Sequence, residues 1–314
     1  MKTLSLCVPA YFEEENILEF YRQVTAVINE NLPNYDYEII FVNDGSTDNT
    51  LHIMTELAIS DLKVKVVDLS RNYGKEIAMY AGLENSTGDM VVIMDSDLQH
   101  PPQLIPDMVK LWELGYQDVY GKRTARQKEP WLKIKFSQWY YQVLAFLSKS
   151  NIEDGVGDFR LLDRECVEAL LAIKDKQRYT KGMYDWIGFK KVAINFEAQE
   201  RFAGETKWHF KDLLRLAMDG ITSTSTYLLK ISTYFGFLLS LGSFSYLIYT
   251  IIRAIMGKTA VPGYSSLMTV ILILGGIQLI SIGILGEYVG KISNESKERP
   301  IYLLNKKTSK NIKE

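Results

Sequence analysis

Histidine and cysteine are nearly absent, with three and two residues in a chain of 314. His52, His100 and His209 are too scattered for a metal triad, and Cys7 and Cys166 stand singly, with no Cys-x-x-Cys. Two ordinary thiols in a reducing compartment are expected, rather than a disulfide framework or a zinc site. Net charge is almost absent as well: 36 basic against 38 acidic side chains leave −2, so no general electrostatic case for nucleic acid as partner exists. No Gly-x-Gly-x-x-Gly and no Gly-x-x-x-x-Gly-Lys-Ser/Thr stands at a strand end, which removes the dinucleotide fingerprint and the Walker loop. No secretory leader is expected either. The apolar run Leu4 to Ala10 is too short for a signal-peptide core and leads directly into Glu13-Glu14-Glu15, so nothing there sends the N-terminal region outside.

Charge is scarcest in one place. Residues 231–289 hold three charged side chains, Arg253, Lys258 and Glu287, in 59 residues, whereas residues 1–230 hold 61. The chain-wide mean hydropathy of −0.06 therefore averages unlike parts. Ile231 to Ile252 and Ser265 to Gly286 each run 22 residues without a charge, the length needed to cross a bilayer's hydrocarbon core, and buried helices of soluble proteins seldom stay uncharged that long. Two transmembrane helices, about 231–253 and 265–287, are expected,. Basic residues accumulate on the cytoplasmic side of such spans. The connection Arg253 to Tyr264 has two, the tail from Gly290 has seven, and Lys207, Lys211, Arg215 and Lys230 precede the first span. Both ends are therefore expected in the cytoplasm, with a short outer hairpin containing Pro262-Gly263. The protein reads as a multi-pass membrane protein with a domain over 1–230, a hairpin over 231–289 and a basic tail over 290–314.

In the first 120 residues short β-rich runs alternate with helical ones, the pattern of an α/β layer fold with a largely parallel sheet. Leu4 to Pro9, Tyr37 to Val42, Val64 to Leu69 and Met90 to Met94 read as strands buried on both faces,. Glu13 to Asn31, Asp48 to Ile59 and Lys75 to Asn85 read as helices, and a fourth begins at Pro101-Pro102,. Ligands of such sheets gather at the carboxyl ends of the strands. Those ends carry Pro9-Ala10-Tyr11-Phe12-Glu13, Asn43-Asp44-Gly45-Ser46, Arg71-Asn72-Tyr73-Gly74-Lys75 and Asp95-Ser96-Asp97. In an extended chain residues i and i+2 face one side, so Asp95 and Asp97 can present two carboxylates to a hard divalent cation. Taken alone an Asp-x-Asp also describes a solvated turn; the strand end is what favours the metal reading.

The ordered motifs Val8-Pro9-Ala10-Tyr11-Phe12-Glu13-Glu14-Glu15-Asn16-Ile17, Val42-Asn43-Asp44-Gly45-Ser46-Thr47-Asp48-Asn49-Thr50 and Met94-Asp95-Ser96-Asp97-Leu98-Gln99-His100-Pro101-Pro102 resemble those of inverting glycosyltransferases with the GT-A fold. Gly157-Asp158-Phe159-Arg160-Leu161, Arg201-Phe202-Ala203-Gly204-Glu205-Thr206-Lys207-Trp208 and the two C-terminal spans narrow the resemblance to the polyprenyl-phosphate glycosyltransferases. One departure is that Asn43-Asp44 stands where many relatives have two acids before Gly-Ser. The resemblance implies a GT-A type Rossmann-like mixed α/β sheet with helices on both faces, followed by interfacial amphipathic helices and two transmembrane helices. It implies a nucleotide-sugar donor, a polyprenyl phosphate acceptor such as undecaprenyl phosphate, and Mg²⁺ or Mn²⁺ as cofactor. Pro9, Tyr11, Glu13 and Asp44 would form the nucleotide pocket. Asp95 and Asp97 would hold the metal against the diphosphate, with Gln99 beside it. Asp158 would lie near the acceptor, either as a base or as an orienting group, and Asp97 is counted with it as catalytic. Arg123, Arg126, Arg201 and Lys207 would bind the acceptor phosphate or the diphosphate.

Residues 122–149 carry seven basic side chains and one acid interleaved with Trp131, Phe136, Trp139, Tyr140, Tyr141 and Phe146. This is the signature of a helix lying at the lipid headgroups, expected over about 130–149, with a second over about 208–229. Single-stranded nucleic acid also suits basic and aromatic residues, but the adjacent apolar spans favour the bilayer. Formal charge is −7 over residues 1–230 and +4 from residue 290 onward, polarised toward the membrane end. Two other readings stay open. A processive polysaccharide synthase of the same fold would be expected to show Gln-x-x-Arg-Trp, which is missing, and a catalytically silent anchor would not need Asp95, Asp97 and Asp158. Homo-oligomer formation is compatible with two spans. Between UDP and GDP, and among hexoses, UDP-glucose is the preferred donor.

Overall fold

The computed structural model describes residues 1–124, 156–176, 178–197, 227–256 and 263–311. Arg126, Arg201, Lys207, the expected interfacial helix about 130–149 and nearly all of that about 208–229 lie outside these residues. Seven strands form one sheet: β1 (Lys2–Ala10), β2 (Tyr35–Asn43), β3 (Val64–Asp68), β4 (Met90–Ile93), β5 (Asp118–Arg123), β6 (Val156–Asp163) and β7 (Lys191–Phe196). Their order is β3-β2-β1-β4-β6-β5-β7. Strands β1 to β4 pair in parallel; β6 runs antiparallel to both β4 and β5, and β7 is parallel to β5. The sheet is therefore mixed, as expected.

Each parallel crossover carries a helix: α1 (Ile17–Asn31), α2 (Thr50–Ser60) and α3 (Lys75–Glu84). A 3₁₀ turn at Pro102–Leu104 leads into α4 (Ile105–Glu113); Pro102 in the turn and Pro106 in α4 each occupy a first-turn position that needs no backbone donor,. Two further helices follow β6, α5 (Arg164–Ala172) and α6 (Thr180–Trp186). Asp163 caps α5 by accepting from the Glu165 amide,.

Residues Leu4 to Ala10 of β1 are buried without interruption because helices cover both faces of the sheet,. Phe20 of α1 meets Phe41 of β2 edge-on at 6.0 Å between ring centroids, on the face that also holds Ile17, Val24, Ile39 and Met54. On the other face Cys7, Met79, Val91, Ile93 and Leu170 form a second cluster. The parallel strands diverge in connection between β1 and β4: from β1 the chain steps outward to β2 and β3, then returns to the other side of β1 as β4. A crevice opens at such a switch point.

Beyond the sheet lie two long helices, α7 (Tyr227–Ile255) of 29 residues and α8 (Tyr264–Ser296) of 33 residues. At 1.5 Å per residue each exceeds the roughly 30 Å hydrocarbon core. The expected spans, about 231–253 and 265–287, fall within them. Among the described residues, one stretch is long and apolar enough to cross a membrane, Ile273–Ser296, with a mean hydropathy of 1.5. Apolar side chains are exposed along both helices, including Phe237, Leu238 and Leu241 on α7 and Leu279 and Ile280 on α8.

Two compact units result. One is Met218–Glu298, which contains α7 and α8; the other joins Met1–Ala217 with Arg299–Glu314. The C-terminal segment thus packs with the sheet. Lys310 bridges Val66 and Leu304 bridges Leu69 in antiparallel fashion, with the Val66 and Lys310 amides donating to each other's carbonyls at 3.0 and 2.9 Å. Tyr302 and Leu304 cover Ile40, Val42, Val67 and Leu69. An open edge on β3 would invite pairing with another chain; here the segment covers it.

Candidate active site

The carboxyl ends of β1, β2 and β4 supply most of the expected residues. After β2, Gly45 adopts φ +72, and a Cβ there would meet the backbone of Arg71 and Asn72 at 2.5 Å. Only glycine lets the loop after β3 approach this closely. Asp44 holds that loop: its two carboxylate oxygens accept from the Tyr73 amide at 2.7 Å and the Gly74 amide at 2.9 Å. Burial raises the Asp44 carboxyl, partly offset by those two amides and by Arg71. Each oxygen retains a lone pair for a ligand.

After β1, Pro9 is buried, whereas Tyr11 and Phe12 are each 36% exposed with ring centroids 4.2 Å apart. Phe12 sits at φ 57, a conformation uncommon for a bulky residue, and its amide donates to Ser46 Oγ at 3.1 Å. The Glu13 amide donates to Thr50 Oγ1 at 2.9 Å, and its carboxylate accepts from Asn16 Nδ2. Pro9, Tyr11, Glu13 and Asp44 therefore stand at or just after the carboxyl ends of the paired strands β1 and β2.

Asp158 joins this group through strand direction. Antiparallel pairing of β4 with β6 matches Val92 with Leu161 and Ile93 with Arg160. Continued two residues onward, this register sets Asp158 opposite Asp95. Lys75, at the start of α3, bridges the two: its ammonium lies 2.7 Å from Asp95 and 3.1 Å from Asp158. Desolvation would lower the Lys75 ammonium, but Asp95 and Asp158 outweigh it and raise it above the usual lysine range. Burial would raise the Asp158 carboxyl, yet Lys75, Lys181 and Arg160 prevail and hold it down at about 2. Glu76 adds a further carboxyl, pushed up by burial and by Asp158, that accepts from Thr180.

Asp97 is buried, and its Oδ1 accepts from the Gln99 amide at 3.1 Å, closing a tight turn around Leu98 at φ 58. Behind this turn His100 stacks on Phe159 at 4.7 Å; burial lowers its imidazole, which favours the neutral form. Arg123 ends β5 in an exposed position. Arg160, in the expected Gly-Asp-Phe-Arg motif, is committed elsewhere: it pairs with Asp118 at 2.9 Å and lies 3.4 Å over the Tyr184 ring.

Asp95 and Asp97 would offer carboxylate oxygens of the kind that suit Mg²⁺ or Mn²⁺. Among the described residues no group of three or more His, Cys, Asp or Glu could hold a metal by itself, so substrate oxygens would have to complete such a site. The Lys75 ammonium between two carboxylates, together with a buried Asp158 Oδ1 that has no hydrogen-bond partner, marks a place built for positive charge. The residues present fit the ion.

Lys75 and Glu76 are site residues that sequence reasoning missed. Lys75 closes a strand-end motif, which was a signal of position; its partners depend on the direction of β6, which no local pattern encodes.

Residues 5–171 match the family described as Glycosyl transferase family 2, and residues 229–292 match the GtrB C-terminal hairpin. The chain is 42% identical over 301 residues to an uncharacterized glycosyltransferase of Synechocystis sp., covering 96% of this chain and 94% of that one. Identity is also 42% to the prophage bactoprenol glucosyl transferase homolog of Escherichia coli, covering 96% of this chain and 98% of that one. The bactoprenol glucosyl transferase of Shigella phage SfX matches to the same extent, 42% with 96% and 98% covered. A similar solved structure is glucosyl-3-phosphoglycerate synthase from Mycobacterium tuberculosis in complex with Mn²⁺, UDP and glucosyl-3-phosphoglycerate, with a TM-score of 0.46, 20% identity, and 70% of this chain and 78% of that one covered. The family read from the motifs is borne out: this chain, with its GT-A-like mixed sheet, belongs to glycosyl transferase family 2 and is a glycosyltransferase carrying the GtrB hairpin.

Proposed function

We propose that the enzyme moves one hexose, glucose in the first instance, from a uridine diphosphate sugar to undecaprenyl phosphate or a similar polyprenyl phosphate at the cytoplasmic membrane face. The observation that carries this reading is at the β1/β4 switch point, where Lys75 bridges Asp95 and Asp158 directly after the loop that Asp44 holds. The relatives named bactoprenol glucosyl transferase favour glucose and a bactoprenol-type acceptor.

In the reaction a phosphate oxygen of the acceptor attacks the sugar's anomeric carbon from the face opposite the nucleotide. The bond from that carbon to the nucleoside diphosphate oxygen breaks, and the configuration inverts. A phosphate monoester, with its second pKa near 6, is already largely dianionic at pH 7, so no strong base is required. Asp158, held at about 2, is a poor proton acceptor; its role is to hold Lys75, and through it Asp95, in position. Mg²⁺ or Mn²⁺, held by Asp95 and Asp97, would stabilise the charge on the departing diphosphate. Pro9, Tyr11, Glu13 and Asp44 bind the nucleotide, and Gln99 lies toward the sugar. Arg123, Arg126, Arg201 and Lys207 would bind the acceptor phosphate or the diphosphate, a task for which the guanidinium fork is well shaped.

Parity supports the membrane topology of this reading. Residues on both sides of the hairpin, Met1–Ala217 and Arg299–Glu314, build one compact unit, so the chain between them crosses a bilayer an even number of times. With Ile273–Ser296 as one crossing, α7 supplies the other, and the basic flanks put the shared unit in the cytoplasm.

The test is to incubate the purified protein in detergent with polyprenyl phosphate, Mg²⁺ or Mn²⁺ and a panel of UDP and GDP sugars. The expected product is a polyprenyl phosphate hexose of inverted anomeric configuration, identified by mass and NMR. Absence of any glycolipid with every donor would overturn the assignment, and a polymeric product would favour a processive synthase.

A further inference from the structure

The C-terminal segment reaches the nucleotide pocket through a chain of hydrogen bonds. Thr308 Oγ1 donates to Asp68 Oδ2. The other carboxylate oxygen of Asp68 accepts from Asn43 Nδ2 at 2.7 Å. Asn43 Oδ1 accepts from the Ser46 amide at 3.1 Å, and Ser46 Oγ accepts from the Phe12 amide at 3.1 Å. Asp68 and Asn43 are 3% and 1% exposed, so the middle of this chain is shielded from water, where an unmade hydrogen bond is costly. Main-chain contacts brace the same point: the Asn305 amide donates to the Asp68 carbonyl at 2.8 Å, and the Asp68 amide donates to Ser309 Oγ at 3.1 Å.

Chemistry explains why Asn rather than an acid stands at position 43. The position must donate to a carboxylate on one side and accept from an amide on the other; a carboxamide does both, whereas an ionised carboxylate only accepts. An acid there would face the Asp68 carboxylate with no hydrogen to offer. Phe12, at the far end, is held at positive φ, which costs free energy unless the surroundings impose it. Its anchor is Ser46, whose own position is set by Asn43.

We infer that Thr308 and Asp68 are positioning residues for the donor site, and that the C-terminal segment, returning from the membrane hairpin, sets the geometry of the loop that binds the nucleotide. The inference rests on the donor-pocket reading given above. Thr308 touches no expected substrate group; it acts through Asp68 and Asn43 on Ser46 and Phe12. An isosteric Thr308→Val keeps the shape and removes the donor, leaving an Asp68 oxygen unsatisfied, whereas Thr308→Ser keeps the hydroxyl.

The test uses the full chain in detergent and reads two independent quantities: backbone amide exchange over residues 10–14 and 43–47, and binding of UDP by calorimetry, with Asp44→Asn as a pocket control. Thr308→Val is expected to speed exchange at the Phe12 and Ser46 amides by about tenfold or more and to weaken UDP binding by about fivefold to tenfold, while Thr308→Ser matches the parent. In turnover assays the donor KM should rise with kcat nearly unchanged. Unaltered exchange in Thr308→Val would overturn the hydrogen-bond relay whatever UDP does. Faster exchange with unaltered UDP binding would overturn the positioning role alone, provided Asp44→Asn still weakens binding. If UDP fails to bind the parent protein, the donor-pocket reading falls and takes the positioning role with it.

Discussion

Asp158 carries the sharpest consequence of the site's electrostatics. With its carboxyl held at about 2 by Lys75, Lys181 and Arg160 against the opposing effect of burial, it stays ionised from pH 4 to pH 10. A pH–rate profile over that range should therefore show no limb belonging to Asp158. Asp158→Asn should lower kcat by about 10² to 10³, as loss of a fixed electrostatic group does, with no recovery at high pH; recovery there would reinstate Asp158 as a base. Lys75 offers the matching experiment. Lys75→Met leaves Asp95 and Asp158 opposed with no cation between them, and kcat/KM should fall by about 10²-fold, whereas binding of UDP alone should change far less. Equal losses in both would mean that Lys75 holds the nucleotide rather than the carboxylates.

Among the elements, β1 to β4 and α1 to α4 were legible because buried parallel strands are short apolar runs separated by amphipathic helices, and each run carries its own boundary signals. The four strands expected between Leu4 and Met94 differ from those observed by two residues or fewer at each end. Pairing direction was not legible. Residues 156–163 read locally as a motif around Asp158, and nothing in their own pattern reveals that they lie antiparallel to β4. For the same reason the partners of Lys75 and the role of Asn43 stayed hidden: both are decided by residues 20 or more positions away. Strand β2 also contains a testable ion pair. Glu38 is buried, which would raise its carboxyl, but Lys65 at 2.5 Å, Ser5 and Thr87 lower it below the usual glutamate range. A depressed carboxyl contributes stability that is present above its unfolded value of about 4.3 and is lost as pH falls through the lower folded value. Thermal unfolding of the parent should therefore weaken relative to Glu38→Gln as pH drops below about 4, and parallel curves for the two proteins would exclude this contribution.

For the whole molecule, the hairpin assignment can be read by chemical labelling, because the native thiols are silent. Cys7 and Cys166 are both buried and both pushed up to about 12, chiefly by burial, so a maleimide should leave the parent unlabelled. With Gly263→Cys, intact cells should react with a membrane-impermeant maleimide; with Lys307→Cys, reaction should require permeabilised cells. Labelling of both in intact cells, or of neither, would contradict a cytoplasmic unit joined across two crossings. The covering of β3 by Leu304 and Lys310 has a consequence in time. Residues 299–311 leave the ribosome after α7 and α8 have been made, so during synthesis the β3 edge waits uncovered until the hairpin is complete. The unit that holds the sheet is interrupted in sequence by the hairpin, and the segment that covers its edge is made only after the hairpin. A chain that stalls or is cut within the hairpin keeps all seven strands but leaves the β3 edge bare, which ties protection of the sheet against wrong pairing to completion of the hairpin.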